Sequence, residues 1–416
     1  MRTIQAIAIS ALCIASLAGR DASAQEYAPP PSPRMGADSV ISTTGIFKGD
    51  EAAGAVTFDV LGGWRLASRL DLLARPVVTK KSDGSWDANL YQLALRYTRP
   101  GNVQLRVDAG YLPSPIGILA LESRADLNPV IVPATSYAAT LPIFEAGTPA
   151  VQLTTANYPL ALQVTSSGTH WDARGAVLGS SPARVRPLTG DNYPPSSPQL
   201  AFGGGITPHI GLRLGASMSH GRYARAEEVD DPSTGDRMAT LMGLDADYSV
   251  GFTRVYADYV HGRYDRATDS VTGTSLTLTA VRTLSPRWYV SARGQRQTTS
   301  DMLQQPSYGP HDPAGGGGYG GGGSGGGDGG YGGGAYGVGY GTAGYGAGYV
   351  HAAGPPQKAT WTDLGGGDAF SVQAVVGFRV NSEITLRAGY VGYRAFGSDQ
   401  VGHGAACSIV WAHRWW

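Results

Sequence analysis

Apolar and polar residues alternate with a period of two along most of this chain, and that alternation limits its folds more than any other feature. In Val103-Gln104-Leu105-Arg106-Val107-Asp108-Ala109-Gly110-Tyr111 the apolar residues share one face of an extended strand, and Gln104, Arg106, Asp108 and Gly110 share the other. The same division recurs from Ile210 to Met218, from Phe370 to Arg379 and from Ile384 to Tyr390. Clear 3.6-residue periodicity is absent, which argues against helical and doubly wound architectures. Beyond the first twenty residues no run of eighteen apolar residues occurs, so a helical membrane protein is excluded. A membrane β-barrel passes that test, because its strands alternate and give only a weak hydropathy signal.

Three features favour the membrane barrel over a soluble sandwich. Alternating runs are joined by short turns, as near Ser68-Arg69, Arg99-Pro100-Gly101, Ser167-Gly168-Thr169 and Ser285-Pro286, while the intervening connections are long, polar and unequal. Short turns at one end and long loops at the other are the asymmetry of an outer-membrane barrel. Strands placed at 39–48, 54–64, 69–80, 87–98, 103–113, 148–166, 170–180, 199–206, 210–221, 237–249, 252–264, 273–284, 287–298, 367–380, 383–396 and 403–416 number sixteen. The piece from 148 to 166, interrupted by Asn157-Tyr158-Pro159, reads as one strand or two. Finally, the chain ends Ile409-Val410-Trp411-Ala412-His413-Arg414-Trp415-Trp416, and a terminal aromatic closing a strand resembles the assembly signal of bacterial outer-membrane barrels, with Trp416 in that place. Arg414 departs from the pattern, since an apolar residue is usual there.

The fold class expected is therefore all-β, a transmembrane antiparallel barrel of about sixteen strands. Ahead of it, Arg2, the apolar stretch Ile4 to Ala18 and Ala22-Ser23-Ala24 read as a signal peptide over 1–24 that directs the chain to the cell outer membrane. Residues 25–38, with Pro29-Pro30-Pro31-Ser32-Pro33, read as a periplasmic leader, and 39–416 as the barrel. Cys13 leaves with the signal and Cys407 remains alone, so stability must come from the closed hydrogen-bonded barrel rather than from disulfides. The 32 basic and 32 acidic side chains balance, which argues against nucleic acid as a partner.

On this placement the third external loop, 114–147, is long and rich in apolar residues, from Ser114-Pro115-Ile116-Gly117-Ile118-Leu119 to Pro129-Val130-Ile131, and should pack against something. A sixteen-strand barrel whose long third loop folds inward resembles the bacterial porin family. The run Gly110-Tyr111-Leu112-Pro113-Ser114-Pro115-Ile116-Gly117 is similar to the segment entering that loop in phosphate-selective-type porins. The resemblance implies passive diffusion of small hydrophilic solutes through a lumen narrowed by the third loop, commonly in a homotrimer. Its partners would be outer-membrane lipid, the outer-membrane assembly machinery and the solutes.

Glu122, Arg124, Asp126 and Glu145 are the charged residues of that loop and the candidates for a pore constriction. Across from them, the polar faces of the strands carry Arg75, Arg96, Arg106, Arg174, Arg213, Arg254, Arg293, Arg379 and Arg387. Rings of arginine attract anions and bind carboxylate or phosphate in a bidentate manner. Alternatively these arginines pair with Asp71, Asp108, Asp172 and Asp258 on the same faces and stiffen the wall.

The seventh external loop, 299–366, contains 22 of the 61 glycines between Gly315 and Gly348, with tyrosines spaced among them. Such a segment buries too little apolar area to offset its ordering entropy and should be disordered. A surface adhesin or scaffold using this loop is the alternative function. A barrel hydrolase is the less favoured one, because the eight histidines are scattered and no HExxH occurs. His220 and His261, with Ser217, Ser219 or Asp258 near in sequence, are the only general-base candidates. No enzymatic activity, cofactor or metal is expected.

Overall fold

In the computed structural model, the described residues are 35–48, 51–82, 84–133, 142–154, 158–184, 198–229, 232–304 and 362–415. The expected signal, the expected leader up to residue 34, most of the Gly/Tyr-rich loop and Trp416 lie outside them. Among the described residues no helix is long and apolar enough to cross a membrane.

Sixteen antiparallel strands close into one barrel. In chain order they are β1 (Met35–Lys48), β2 (Glu51–Ala67), β3 (Leu70–Lys81), β4 (Trp86–Arg99), β5 (Gln104–Tyr111), β6 (Leu160–Ser167), β7 (Trp171–Leu178) and β8 (Gln199–His209). They continue with β9 (Leu212–Ala224), β10 (Arg237–Val250), β11 (Thr253–Asp265), β12 (Ser270–Thr283) and β13 (Trp288–Thr299). Two short strands, β14 (Leu303–Gln304) and β15 (Thr362–Asp363), pair outside the barrel at the base of the long Gly/Tyr loop. The last three, β16 (Gly367–Arg379), β17 (Ile384–Arg394) and β18 (Gly402–Trp415), complete the wall. Each barrel strand pairs with the next barrel strand in chain order, β13 with β16, and β1 closes on β18 from Ala37 opposite Trp415 to Phe47 opposite Ala405. Closure satisfies both edges, the condition for a sheet to stand in lipid.

The seven connections at one end have two to four residues each, while the other end carries all the long loops together with the short β1–β2, β3–β4 and β11–β12 connections. Strand faces follow the sequence pattern. On β13, Tyr289, Ser291, Arg293, Gln295, Gln297 and Thr299 point inward and are buried, while Trp288, Val290, Ala292, Gly294 and Arg296 point outward. Exposed Leu, Val, Ile, Phe and Met side chains cover the outside. Aromatic residues mark the short-turn rim, among them Tyr248, Phe252, Trp288 and Trp415, with Trp288 and Phe378 ring centroids 4.6 Å apart. An apolar band edged by aromatics is the outer surface of a barrel made for lipid.

Two boundaries differ from the sequence reading. The first strand begins at Met35, inside the expected leader, because Met35, Gly36 and Ala37 already pair with Trp64, Gly63 and Gly62 of β2. The segment expected as strand from 148 is strand only from Leu160. Pro159 has no N–H to give a ladder, and Tyr158 turns its ring into the lumen instead. The third loop therefore runs from 112 to 159, longer than 114–147 at both ends. Arg414 also finds its reason: it lies on the inward face and donates to Asp38 of β1 at 3.0 Å, so no charge is presented to lipid there.

Candidate functional site: the third loop across the lumen

The third loop leaves β5, descends into the barrel and is held from wall to wall. Its first anchor is on β9 to β11. The Gly117 amide donates to Ser217 Oγ at 3.3 Å, and the Ile118 amide donates to Asp258 Oδ2 at 3.0 Å. Close approach is possible here because the wall lacks side chains. A Cβ on Gly243 would lie 2.5 Å from Ser217 Oγ and 3.2 Å from Ile116, and one on Gly203 would lie 3.3 Å from the Pro115 carbonyl. Gly117 itself adopts φ +70°, and a Cβ there would meet the Asp258 carboxylate at 2.4 Å. Only glycine takes that conformation cheaply and leaves room for the carboxylate.

A single 3-10 turn, Leu119–Ser123, then spans the lumen. Ser123 Oγ accepts from Arg75 Nη1 of β3 at 2.8 Å, and β3 stands eight strands from β11, diametrically opposite in the ring of sixteen. Arg75 is buried with Asp59 in a two-pronged ion pair at 2.6 and 2.9 Å, and it also donates to the Tyr158 hydroxyl at 2.7 Å. That hydroxyl donates to the Ala120 carbonyl at 3.0 Å, clamping the turn. From the same turn, Glu122 reaches Arg293 of β13 in a buried ion pair, while Arg293 Nε donates to Thr279 at 3.0 Å.

Beyond the turn the chain follows the β13 to β18 wall. Ser291 donates to the Pro129 carbonyl at 2.7 Å and Arg387 to the Val130 carbonyl at 3.2 Å. The Gln373 side chain exchanges two bonds with the Val132 backbone, at 3.0 and 2.7 Å. Val130, Ile131 and Val132 pack on Ile46, Ala55, Val375, Val391 and Ala406, an apolar patch on an otherwise polar wall. Each buried valine or isoleucine among them contributes about 1.5–3 kcal/mol, so hydrophobic burial and polar anchors hold this segment together.

Of the four constriction candidates, Glu122, Arg124 and Asp126 lie within or just after the crossing turn. Arg124 pairs with Asp126 at 2.8 Å and approaches Asp38 at 3.8 Å. Glu145 lies elsewhere, at the long-loop end, where it takes both prongs of Arg237 at 2.5 and 2.7 Å. There Phe144, Val151 and Leu153 pack with Tyr223, Tyr264, Met302 and Phe396 into an apolar cluster under the loops. The loop Arg266 beside it is held above its ordinary value by the Asp269 carboxylate, helped by Asp301 at 2.6 Å.

All nine candidate wall arginines point inward, and six meet a carboxylate. Besides Arg75 and Arg293, Arg96 and Arg106 share Asp108 at 2.7 and 2.9 Å, Arg213 lies between Asp172 and Asp245, and Arg254 pairs with Asp247 at 2.7 Å. Two of the expected acidic partners do otherwise: Asp71 pairs with Arg65, and Asp258 accepts the loop amide. Among the described residues Arg174, Arg379 and Arg387 have no carboxylate within 4 Å; Arg379 lies over the Tyr289 ring and Arg387 donates to the Tyr289 hydroxyl at 2.9 Å. Sequence reasoning missed Asp59, Tyr158, Gln373 and Arg237 as partners. Asp59 and Gln373 carried a signal, a polar side chain on the inward phase of an alternating strand. Arg237, at the start of β10, stood on the same inward phase, and Tyr158 carried none.

The general-base candidates separate by strand phase. Ser217 and Ser219 face the lumen while His220 faces outward, and Asp258 faces the lumen while His261 faces outward. Among the described residues no three His, Cys, Asp or Glu side chains stand close enough to hold a metal ion.

No protein-family model matches the sequence. No curated protein sequence matches it either. Solved structures do match over nearly the whole barrel. A loop-L8 deletion of OmpT, an outer-membrane protein of Vibrio cholerae, superimposes with a TM-score of 0.51 at 9% identity, covering 91% of this chain and 99% of that one. An anion-selective porin from Comamonas acidovorans gives 0.50 at 8% identity, covering 92% and 99%. The outer-membrane channel DcaP of Acinetobacter baumannii gives 0.50 at 8%, covering 92% and 96%. The chain thus has the sixteen-stranded fold of outer-membrane porins.

Proposed function

We propose that this protein is a porin-like channel of the cell outer membrane, through which small hydrophilic solutes diffuse passively past the third loop. The observation that carries this reading is the loop itself, anchored on diametrically opposite walls at Asp258 and Arg75 within six residues. A barrel serving only as an anchor needs no charged, hydrogen-bonded segment across its lumen. The outward apolar band and aromatic rim support insertion in lipid, with long loops outside and both ends of the barrel strands inside. In this reading 1–24 is a cleaved signal, Trp416 serves recognition by the assembly machinery, and the barrels associate as homotrimers. The adhesin alternative depends on residues 315–348, outside the described residues.

Glu122, Arg124 and Asp126 line the constriction, and the wall is mildly anion-preferring. Support for the preference is narrower than the count of arginines suggests: pairing neutralises six, leaving Arg174, Arg379 and Arg387 as the excess. Rings of Arg attract anions where their charge is uncompensated. Reversal potentials in planar bilayers under a salt gradient test this: anion preference is expected, weakened by Arg174→Gln, and cation preference would contradict it.

A further inference from the structure

Two inward arginines that meet no carboxylate stand together at the short-turn mouth of the barrel. Arg379, half-buried, ends β16, and Arg387 lies diagonally across from it on β17, where Arg387 faces Gly377 and Arg379 faces Thr385. One tyrosine holds both. Tyr289 of β13 is opposite Gly377, and a Cβ on that glycine would collide with the Tyr289 ring. The bare backbone therefore lets the ring reach across β16. There the Arg379 guanidinium stands 5.2 Å from the ring centroid, and Arg387 Nε donates to the hydroxyl at 2.9 Å. A third arginine adjoins them: the Arg379 amide donates at 2.7 Å to the carbonyl of Arg287, which is exposed in the β12–β13 turn. Among the described residues none of the three has a carboxylate within 4 Å, and Glu383, the acid of the neighbouring turn, is engaged by His413 and Trp411 instead.

Other inward arginines, such as Arg75, Arg213 and Arg254, each meet a carboxylate. Here like charges gather on one face of neighbouring strands, which is unfavourable until an anion compensates them. Guanidinium groups hold phosphate and carboxylate oxygens through paired, charge-assisted bonds, and Tyr289 fixes two of these groups in advance, which lowers the ordering cost of binding. We infer that Arg379 and Arg387, positioned by Tyr289 and joined by Arg287, form a subsite for a small multivalent oxyanion at the short-turn mouth. The ligand is a solute rather than a lipid, because the arginines of β16 and β17 face inward while Trp288 and Phe378 pack together on the outer face. Arg387 also donates to the Val130 carbonyl at 3.2 Å, so the subsite lies against the third loop, below the constriction. The inference rests on the channel reading for the route by which a solute arrives, and not for the binding itself.

Isothermal titration calorimetry of the full-length folded protein in detergent at low salt, with pyrophosphate as the probe, tests it. Loss of one charge-assisted contact weakens binding about tenfold or more, so Arg379→Gln should lower the affinity by that factor, and Arg379→Lys by less. Tyr289→Leu keeps all three arginines but removes the ring that positions them, and it should weaken binding several-fold. Arg263→Gln removes the same charge from the outer face, where Arg263 is 65% exposed, and should leave the affinity unchanged. An absence of saturable heat in the parent protein, an affinity within about twofold of the parent in Arg379→Gln, or an equal loss in Arg263→Gln would each overturn the inference; unchanged affinity in Tyr289→Leu would overturn the positioning role. Heat-modifiable migration confirms that the variants fold. Single-channel conductance of the same preparations tests the channel separately: binding without openings leaves the subsite standing and removes the channel, and openings without binding do the reverse.

Discussion

Arg75 and Glu122 show how single side chains fix the lumen. Each belongs to a buried ion pair, and the loop turn depends on both: Arg75 reaches Ser123 and Tyr158, and Glu122 reaches Arg293. Breaking a buried pair from one side leaves an uncompensated charge and costs about 3–5 kcal/mol. Glu122→Gln should therefore raise local opening of the loop rather than melt the barrel, seen as faster amide hydrogen exchange across 114–132 with exchange on β9 to β13 unchanged. At the short-turn rim, Glu383 accepts from His413 at 2.7 Å and from Trp411 Nε1 at 3.1 Å, and these bonds hold its carboxyl below the usual range. A lowered folded-state value means that the contribution is present above the ordinary carboxylate range and lost as pH falls through the lowered one. Trp411 fluorescence should then change in that acid window, and Glu383→Gln should abolish the change. The inward arginines were legible as residues because alternation assigns their face. Their partners were mostly illegible, since pairing across strands depends on register, which the sequence leaves open by two-residue steps.

At the scale of elements, the strands were legible nearly to their ends, because each is long, strictly alternating and closed by a short turn. The exception was β6. Its expected start at 148 placed an inward loop in the wall, because the apolar residues Val151 and Leu153 serve a cluster under the loops rather than a lipid face. A loop buried on all sides carries the same apolar signal as a strand. In the structure, glycines mark that loop's contacts: Gly117, Gly203 and Gly243 occur where it touches the wall. Gly243→Val should lift residues 115–117 at a cost of about 1–3 kcal/mol, loosening the Ile118 amide and widening the channel. Gly294→Val, on the outward face with nothing within 4 Å of the new Cβ, should leave both unchanged.

For the whole molecule, balanced charge and abundant glycine take on structural meaning. Overall neutrality results partly from acids and arginines interleaved on an inner wall, and part of the glycine excess from places where a loop backbone lies against that wall. A closed barrel with an apolar exterior and a charged, loop-crossed interior is built for two solvents at once. Passage then depends on how much of the lumen the third loop leaves free. The direct test is single-channel recording in planar bilayers of the intact protein, of a variant lacking 116–131 and of one lacking 315–348. Stepwise openings in the intact protein, larger steps without 116–131 and unchanged steps without 315–348 are expected; a barrel silent in all three, or steps indifferent to loss of 116–131, would contradict it.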